Sequence, residues 1–145
     1  MLAEYFTQAK ILLNFEAKDY KQALKQMLAV SSEKNRPQIL ELITKREALM
    51  PTALGKGIAL PRIILDDKKK TEMVIALSPK GINANSFDRL PVKIVFLFLF
   101  SKMNDYPSIL AQSLRLLNDD SMRTELLQCK TADEIIMAIK QWEEG

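Results

Sequence analysis

Residues 46–63 read REALMPTALGKGIALPRI, and the fold turns on this stretch. Gly55 and Gly57 flank Lys56 in a tight Gly-Lys-Gly turn, where glycine permits a positive φ or a close backbone approach. A short apolar strand, Ile58 to Leu60, follows and is stopped by Pro61, which has no N–H to give to a ladder. Arg62 is the first residue past that proline, at a strand end where functional groups tend to gather. Four cations (Lys45, Arg46, Lys56, Arg62) lie in or beside the stretch, together with Glu47 and Thr52.

Upstream, Leu2 to Tyr5 reads as a helical turn and Ile11 to Phe15 as a strand. Asp19 opens a helix to about Val30, with Leu24, Met27 and Leu28 on one stripe. After the polar break Ser31 to Lys34, Asn35 is placed to cap a helix with Pro37 in its first turn and Gln38 three residues on, a capping-box arrangement. That helix runs to about Leu49 with Ile39, Leu40 and Ile43 inward, and Arg46 near its carboxyl end is favoured by the dipole.

Downstream, Met73 to Leu77 reads as a strand and Ser78 to Leu90 as a loop. Val92 to Phe100 is the strongest strand signal. It is apolar on both faces, which implies a central strand covered by helices on both sides. Asp105 caps a helix to Leu117, Ser121 to Leu127 is a short helix, and Thr131 with Glu134 makes a capping box for a last helix to about Trp142. Met27, Met73 and Met103 read as core fillers. The expected class is α/β: a layered sandwich with a mixed central sheet, as one domain over residues 1–145.

With 145 residues, 48% hydrophobic and 27% charged, the composition is that of an ordinary globular domain. The net charge of +3 is mild and the charges are interspersed, so no clustered basic face points to nucleic acid. The run Asp66 to Lys70 reads as a solvated turn. One cysteine, Cys129, precludes an internal disulfide and fits a reducing cytoplasm; it reads as a small buried hydrophobe. The longest apolar run is far short of the roughly 20 residues a membrane helix requires. No signal pattern opens the chain, and its starting Met1 and set of elements suggest a free-standing protein. With no histidine and one cysteine, no soft-ligand metal site is expected, and no cofactor.

The stretch from Arg46 resembles the type-2 (fructose/mannitol) enzyme IIA domain of the bacterial phosphotransferase system and its nitrogen-regulatory relatives. The family pattern runs roughly R-E-x-x-G-S-T-G-I-G-N-G-I-A-I-P-H; Arg46, Glu47, Thr52, Gly55, Gly57, Ile58, Ala59 and Pro61 match it. Phe15 to Asp19, the segment Ala76 to Val92 and the helix from Tyr106 to Leu117 extend the likeness over nearly the whole chain. The resemblance implies that the family's phosphoryl-carrying histidine falls at Arg62 and its second histidine at Tyr106.

That substitution matters chemically. Neutral imidazole offers a lone pair near pH 7, whereas guanidinium stays protonated and offers none. Tyr106 is a poor acid or base at neutral pH. The expectation is a degenerate enzyme IIA that does not carry a phosphoryl group and binds a protein partner, such as an HPr-like phosphocarrier or a regulated transporter or kinase. A carrier with another acceptor, on Cys129 or Thr52, and an anion or phospho-metabolite sensor are the alternatives. Arg46, Lys56 and Arg62, with Thr52 and Glu47, are the candidate anion or partner contacts, on the expectation that Lys56 lies close to the arginine pair. The plainer readings are Arg62 projecting into water, Glu47 paired with Arg46 or Lys45, and Thr52 bracing the glycine turn.

Overall fold

Strand β6 (Val92–Ser101) organises the molecule, which the computed structural model describes over residues 1–145. Strand β5 (Glu72–Ile82) runs antiparallel to it on one flank, and β1 (Ile11–Leu12) pairs parallel with β5. On the other flank β3 (Ile58–Ala59) and β4 (Arg62–Leu65) both pair parallel with β6, and β2 (Ala53–Gly55) closes that edge as an antiparallel hairpin with β3. The sheet is therefore six-stranded and mixed.

Alternation along β6 feeds two cores. Phe96, Phe98 and Phe100 join the core beneath α3 (Tyr106–Asn118), α4 (Asp120–Gln128) and α5 (Ala132–Glu144). Val95, Leu97 and Leu99 face α1 (Tyr20–Ala29) and α2 (Arg36–Leu49). All six are at most 1% exposed, as expected of a strand covered on both sides. Asp19, Asp105 and Thr131 cap their helices as read from the sequence.

Several local expectations are corrected. Asn35 makes no side-chain cap; Pro37 in the first turn of α2 removes one of the donors that a cap would satisfy. Leu40 is only half-buried because it faces the cleft between α1 and α2. The strand at Ile11 ends at Leu12, since Asn14 turns with φ 49°. Strand β5 continues through Pro79 and Lys80 to Ile82, where a loop was expected: the two exposed residues lie at its irregular, solvent-facing end. Strand β4 was not foreseen at all. Met103 is 77% exposed and fills no core.

The run Asp66 to Lys70 is a solvated turn with one exception. The Lys68 side chain is 8% exposed and pairs with Glu33 and, at 3.0 Å, with Glu72. Glu72 also pairs with Lys10 and accepts from Ser32 N at 2.9 Å and Ser32 Oγ at 2.8 Å. Burial alone raises the Glu72 pKa; Lys10, Lys68 and Ser32 overcome this and hold it at about 2.

Candidate functional site

Gly55, Lys56 and Gly57 all take positive φ, at 92°, 59° and 76°. They turn β2 into β3, and the Asp88 carboxylate fastens the turn by accepting from Lys56 N at 2.8 Å. A Cβ on Gly55 would meet that carboxylate at 2.9 Å, so the position requires glycine. From this turn β3 runs along β6 until Leu60 and Pro61 interrupt the ladder. Leu60 N donates to Thr52 O at 3.1 Å, and Pro61 O accepts from Phe98 N at 2.9 Å. The interruption is bridged on both sides, so β4 resumes on the same flank, and Arg62 is its first residue, in register with Phe98.

Helix α2 packs against β4 and delivers Arg46 and Glu47 from its last turns. Glu47 is fully engaged with Thr52. One carboxylate oxygen accepts from Thr52 N at 2.9 Å and the other accepts from Thr52 Oγ1. This pair closes the end of α2 and the turn at Met50 and Pro51 over a buried Thr52, which is 4% exposed. Thr52 thus braces the site through Glu47 and Leu60, and Glu47 pairs with neither Lys45 nor Arg46; Lys45 pairs with Glu41.

Half-buried Arg62 donates from one guanidinium nitrogen to Leu60 O at 3.2 Å. Burial lowers its pKa, the neighbouring Arg46 lowers it further, and Glu47 opposes both. Neither Arg46 nor Arg62 forms an ion pair. Tyr20, the first residue of α1, completes the cluster. Its buried hydroxyl has no hydrogen-bond partner. Burial, then the Glu47 charge, pushes it well above the usual phenol range, while the Thr52 hydroxyl pulls the other way without reaching hydrogen-bond geometry. No sequence signal singled out Tyr20, because nothing local distinguishes it from any polar residue opening a helix.

The structure brings Arg46, Glu47, Thr52 and Arg62 together and leaves Lys56 out. Gly57 O accepts from Lys93 N and Ile94 N, at 2.7 and 3.0 Å, whereas Arg62 is level with Phe98. At about 3.3 Å per residue, this separates Lys56 from Arg62 by roughly 15 Å. The reason is simple: an extended strand carries its two ends apart. Lys56 instead lines a cleft of about 440 Å³ with Lys93 and Arg123. Tyr106 opens α3 and packs on Phe100 at 5.5 Å between ring centroids; Phe100 in turn stacks on Phe98 at 5.0 Å. Two rungs of ring therefore connect Tyr106 to the register position of Arg62. Cys129 is half-buried rather than buried, because it ends α4, and its Sγ donates to Glu125 O at 3.3 Å.

Residues 4–142 match the family described as phosphoenolpyruvate-dependent sugar phosphotransferase system, EIIA 2. A nitrogen regulatory protein from Bradyrhizobium diazoefficiens is 32% identical over 130 residues, covering 86% of this chain and 85% of that protein. The fructose-specific EIIABC component of the Bacillus subtilis phosphotransferase system is 27% identical over 146 residues; the match takes in 97% of this chain but only 23% of that longer protein. Among solved structures, the nitrogen regulatory protein IIA-Ntr from Neisseria meningitidis superposes with a TM-score of 0.84 at 21% identity, over 95% of this chain and 98% of that one. The mannitol enzyme IIA of Escherichia coli, solved in complex with phosphorylated enzyme IIB, gives a TM-score of 0.75 at 20% identity, over 94% and 99%. No helix is long and apolar enough to cross a membrane. The chain belongs to the type-2 enzyme IIA family of the phosphoenolpyruvate-dependent sugar phosphotransferase system.

Proposed function

We propose that this chain is an enzyme IIA-like regulatory or protein-binding module that does not accept a phosphoryl group. One observation carries the reading: a chain without any histidine has Arg62 as the residue that opens β4 after Pro61, where the family resemblance puts the phosphoryl-carrying imidazole. A guanidinium has no lone pair with which to attack phosphorus. The reading takes residues 1–145 as one enzyme IIA unit acting in the cytoplasm, with Arg46 and Arg62 as contacts to an anion or an acidic partner. An HPr-like phosphocarrier, a transporter or a kinase is the class of protein it would engage.

A carrier with a substitute acceptor fits less well. The Thr52 hydroxyl is buried and already donates to Glu47. Burial, followed by the charges of Glu134 and Glu125, raises the Cys129 thiol pKa, so little thiolate forms near neutrality.

The test is to incubate the protein with phosphoenolpyruvate, enzyme I and HPr and to read intact mass, in parallel with an Arg62→His variant. The expected result is no added phosphate on the natural chain and phosphate on the variant. Phosphate on the natural chain overturns the proposal, and fragment masses would then name the acceptor.

A further inference from the structure

The two helical layers carry clefts of opposite charge. On the α1–α2 side a groove of about 1140 Å³ runs between the helices over an apolar floor that includes Leu40 and Ala48. Four cations border it: Lys21 and Lys25 from α1, Arg36 and Lys45 from α2. Its two carboxylates are already engaged, Glu41 with Lys45 at 3.2 Å and Asp19 with Gln22 N at the start of α1. Lys21, Lys25 and Arg36 form no ion pair.

On the other side of the sheet, the cleft of about 480 Å³ between α4 and α5 is lined by three carboxylates, Glu125, Asp133 and Glu134, and by no cation. None of the three forms an ion pair. Met137 stands among them at 57% exposed, and no other large hydrophobic residue of α3, α4 or α5 is as open. Asp133, Met137 and Gln141 follow at four-residue spacing, so they make one ridge along α5. At 1.5 Å per residue that ridge spans about 12 Å, whereas the α2 wall of the groove, Arg36 to Ala48, spans about 18 Å. A ridge that is apolar at its middle and flanked by carboxylates therefore meets, in size and in sign, a groove with an apolar floor and basic walls.

We infer that the Asp133–Met137–Gln141 ridge of one copy docks in the α1–α2 groove of a second copy, so that the protein associates with itself head to tail. Met137 lies on the apolar floor, and Glu125, Asp133 and Glu134 face Lys21, Lys25 and Arg36, which gives each unpaired charge a partner of opposite sign. The two surfaces differ and cover opposite faces of the sheet. A pair of copies thus leaves one surface of each kind free and cannot close on itself, and further copies add at both ends. Exposed ion pairs are individually weak, and the contact forms at concentrations on the order of 0.1 mM. It uses neither Arg46 nor Arg62 and does not depend on whether this chain accepts a phosphoryl group.

Sedimentation equilibrium of the full chain from roughly 10 µM to 1 mM tests this. At low salt the weight-average mass should climb from that of one chain past that of two without levelling off. Salt at about 0.5 M should return it to one chain, because exposed pairs are screened. Two variants change only exposed residues: Lys21→Gln with Lys25→Gln, and Glu125→Gln with Met137→Gln. Each alone should need at least about tenfold higher concentration to associate. Mixed in equal amounts, they should form a species that stops at two chains, since each supplies one intact surface; an unfolded variant could not complement in this way. The mass of one chain at every concentration, a plateau at two chains for the natural protein, or association indifferent to salt overturns the inference. So does association undiminished in either variant, or a mixture that associates no better than its components.

Discussion

Two charge clusters flank the central strand, and they are built on opposite terms. On the β5 side Glu72, level with Leu99, meets Lys10 and Lys68, accepts twice from Ser32, and leaves no oxygen unused. On the β4 side Arg62, level with Phe98, stands with Arg46, and the nearby carboxylate is turned away to Thr52. The first cluster ties together the segment before β1, the α1–α2 loop and the β4–β5 turn; a buried charge persists there because every partner is supplied. The second is opposed only by the charge of Glu47, which forms an ion pair with neither arginine. The fold confines its completed ion pairs to structure and keeps the incomplete set at the sheet edge, beside exposed apolar side chains.

The largest effect should come from breaking the completed cluster. Glu72→Ala strands Lys68, whose side chain is 8% exposed, and removal of one partner from a buried pair costs about 3–5 kcal/mol. Urea unfolding of the variant at neutral pH measures this; a loss below about 1 kcal/mol would show that the pair is solvated and that the contrast between the clusters is false. Acid tests the same cluster without mutation. Glu72 sits at about 2 in the folded chain against an ordinary 4.5, so the native state binds fewer protons. Its contribution is fully present above the ordinary value and is lost as pH falls from about 4.5 toward 2. Stability should decline through that window in the natural chain, and less steeply in Glu72→Gln.

The two clusters were not equally legible in the sequence. Val92 to Phe100 announces a central strand because burial on both faces forces an unbroken apolar run, and helix caps such as Asp19 and Thr131 announce themselves because the chemistry is local. The Gly-Lys-Gly turn was legible for the same reason. Strand β4 was hidden because Pro61 reads as a stop, and only the hydrogen bonds of Thr52 and Phe98 around it show the strand resuming. Lys56 and Arg62 are near in sequence but not in space, because an extended strand carries its two ends apart. Lys68 looked like one of three solvated lysines; its burial depends on Glu33 and Glu72, which no local pattern connects to it. Glu47 and Thr52 are marked by the sequence pattern, but their mutual bond is a tertiary fact.

A smaller effect should follow from releasing Glu47. Thr52→Val keeps the shape and removes the hydroxyl that donates to the carboxylate, at a cost of about 1 kcal/mol. The freed oxygen is expected to swing toward Arg62 and finish the open cluster internally. On the proposed role of Arg46 and Arg62 as contacts to an anionic partner such as an HPr-like phosphocarrier, the variant should then bind phosphorylated HPr roughly tenfold more weakly than the natural chain does, about 1.4 kcal/mol. NMR titration of the isotope-labelled variant and natural chain with HPr, kept phosphorylated by catalytic enzyme I and phosphoenolpyruvate, compares the two affinities. Unchanged affinity for the phosphorylated form would mean that the Thr52 bond is not what keeps the arginine pair open.

The smallest effect should come from Arg62→Gln, and its smallness is the point. The substitution removes one hydrogen bond to Leu60 O and relieves repulsion from Arg46, two terms of opposite sign. Stability should change by less than about 0.5 kcal/mol, as for a residue kept for contact with something outside the chain rather than for folding. Denaturant midpoints of the variant and the natural chain, compared at low and high salt, check this, and the high-salt difference should be the smaller because repulsion between half-exposed charges is screened. A loss of 2 kcal/mol or more would place Arg62 among the supports of the fold, alongside Glu72, and erase the distinction between a cluster that closes the structure and one held open for a partner.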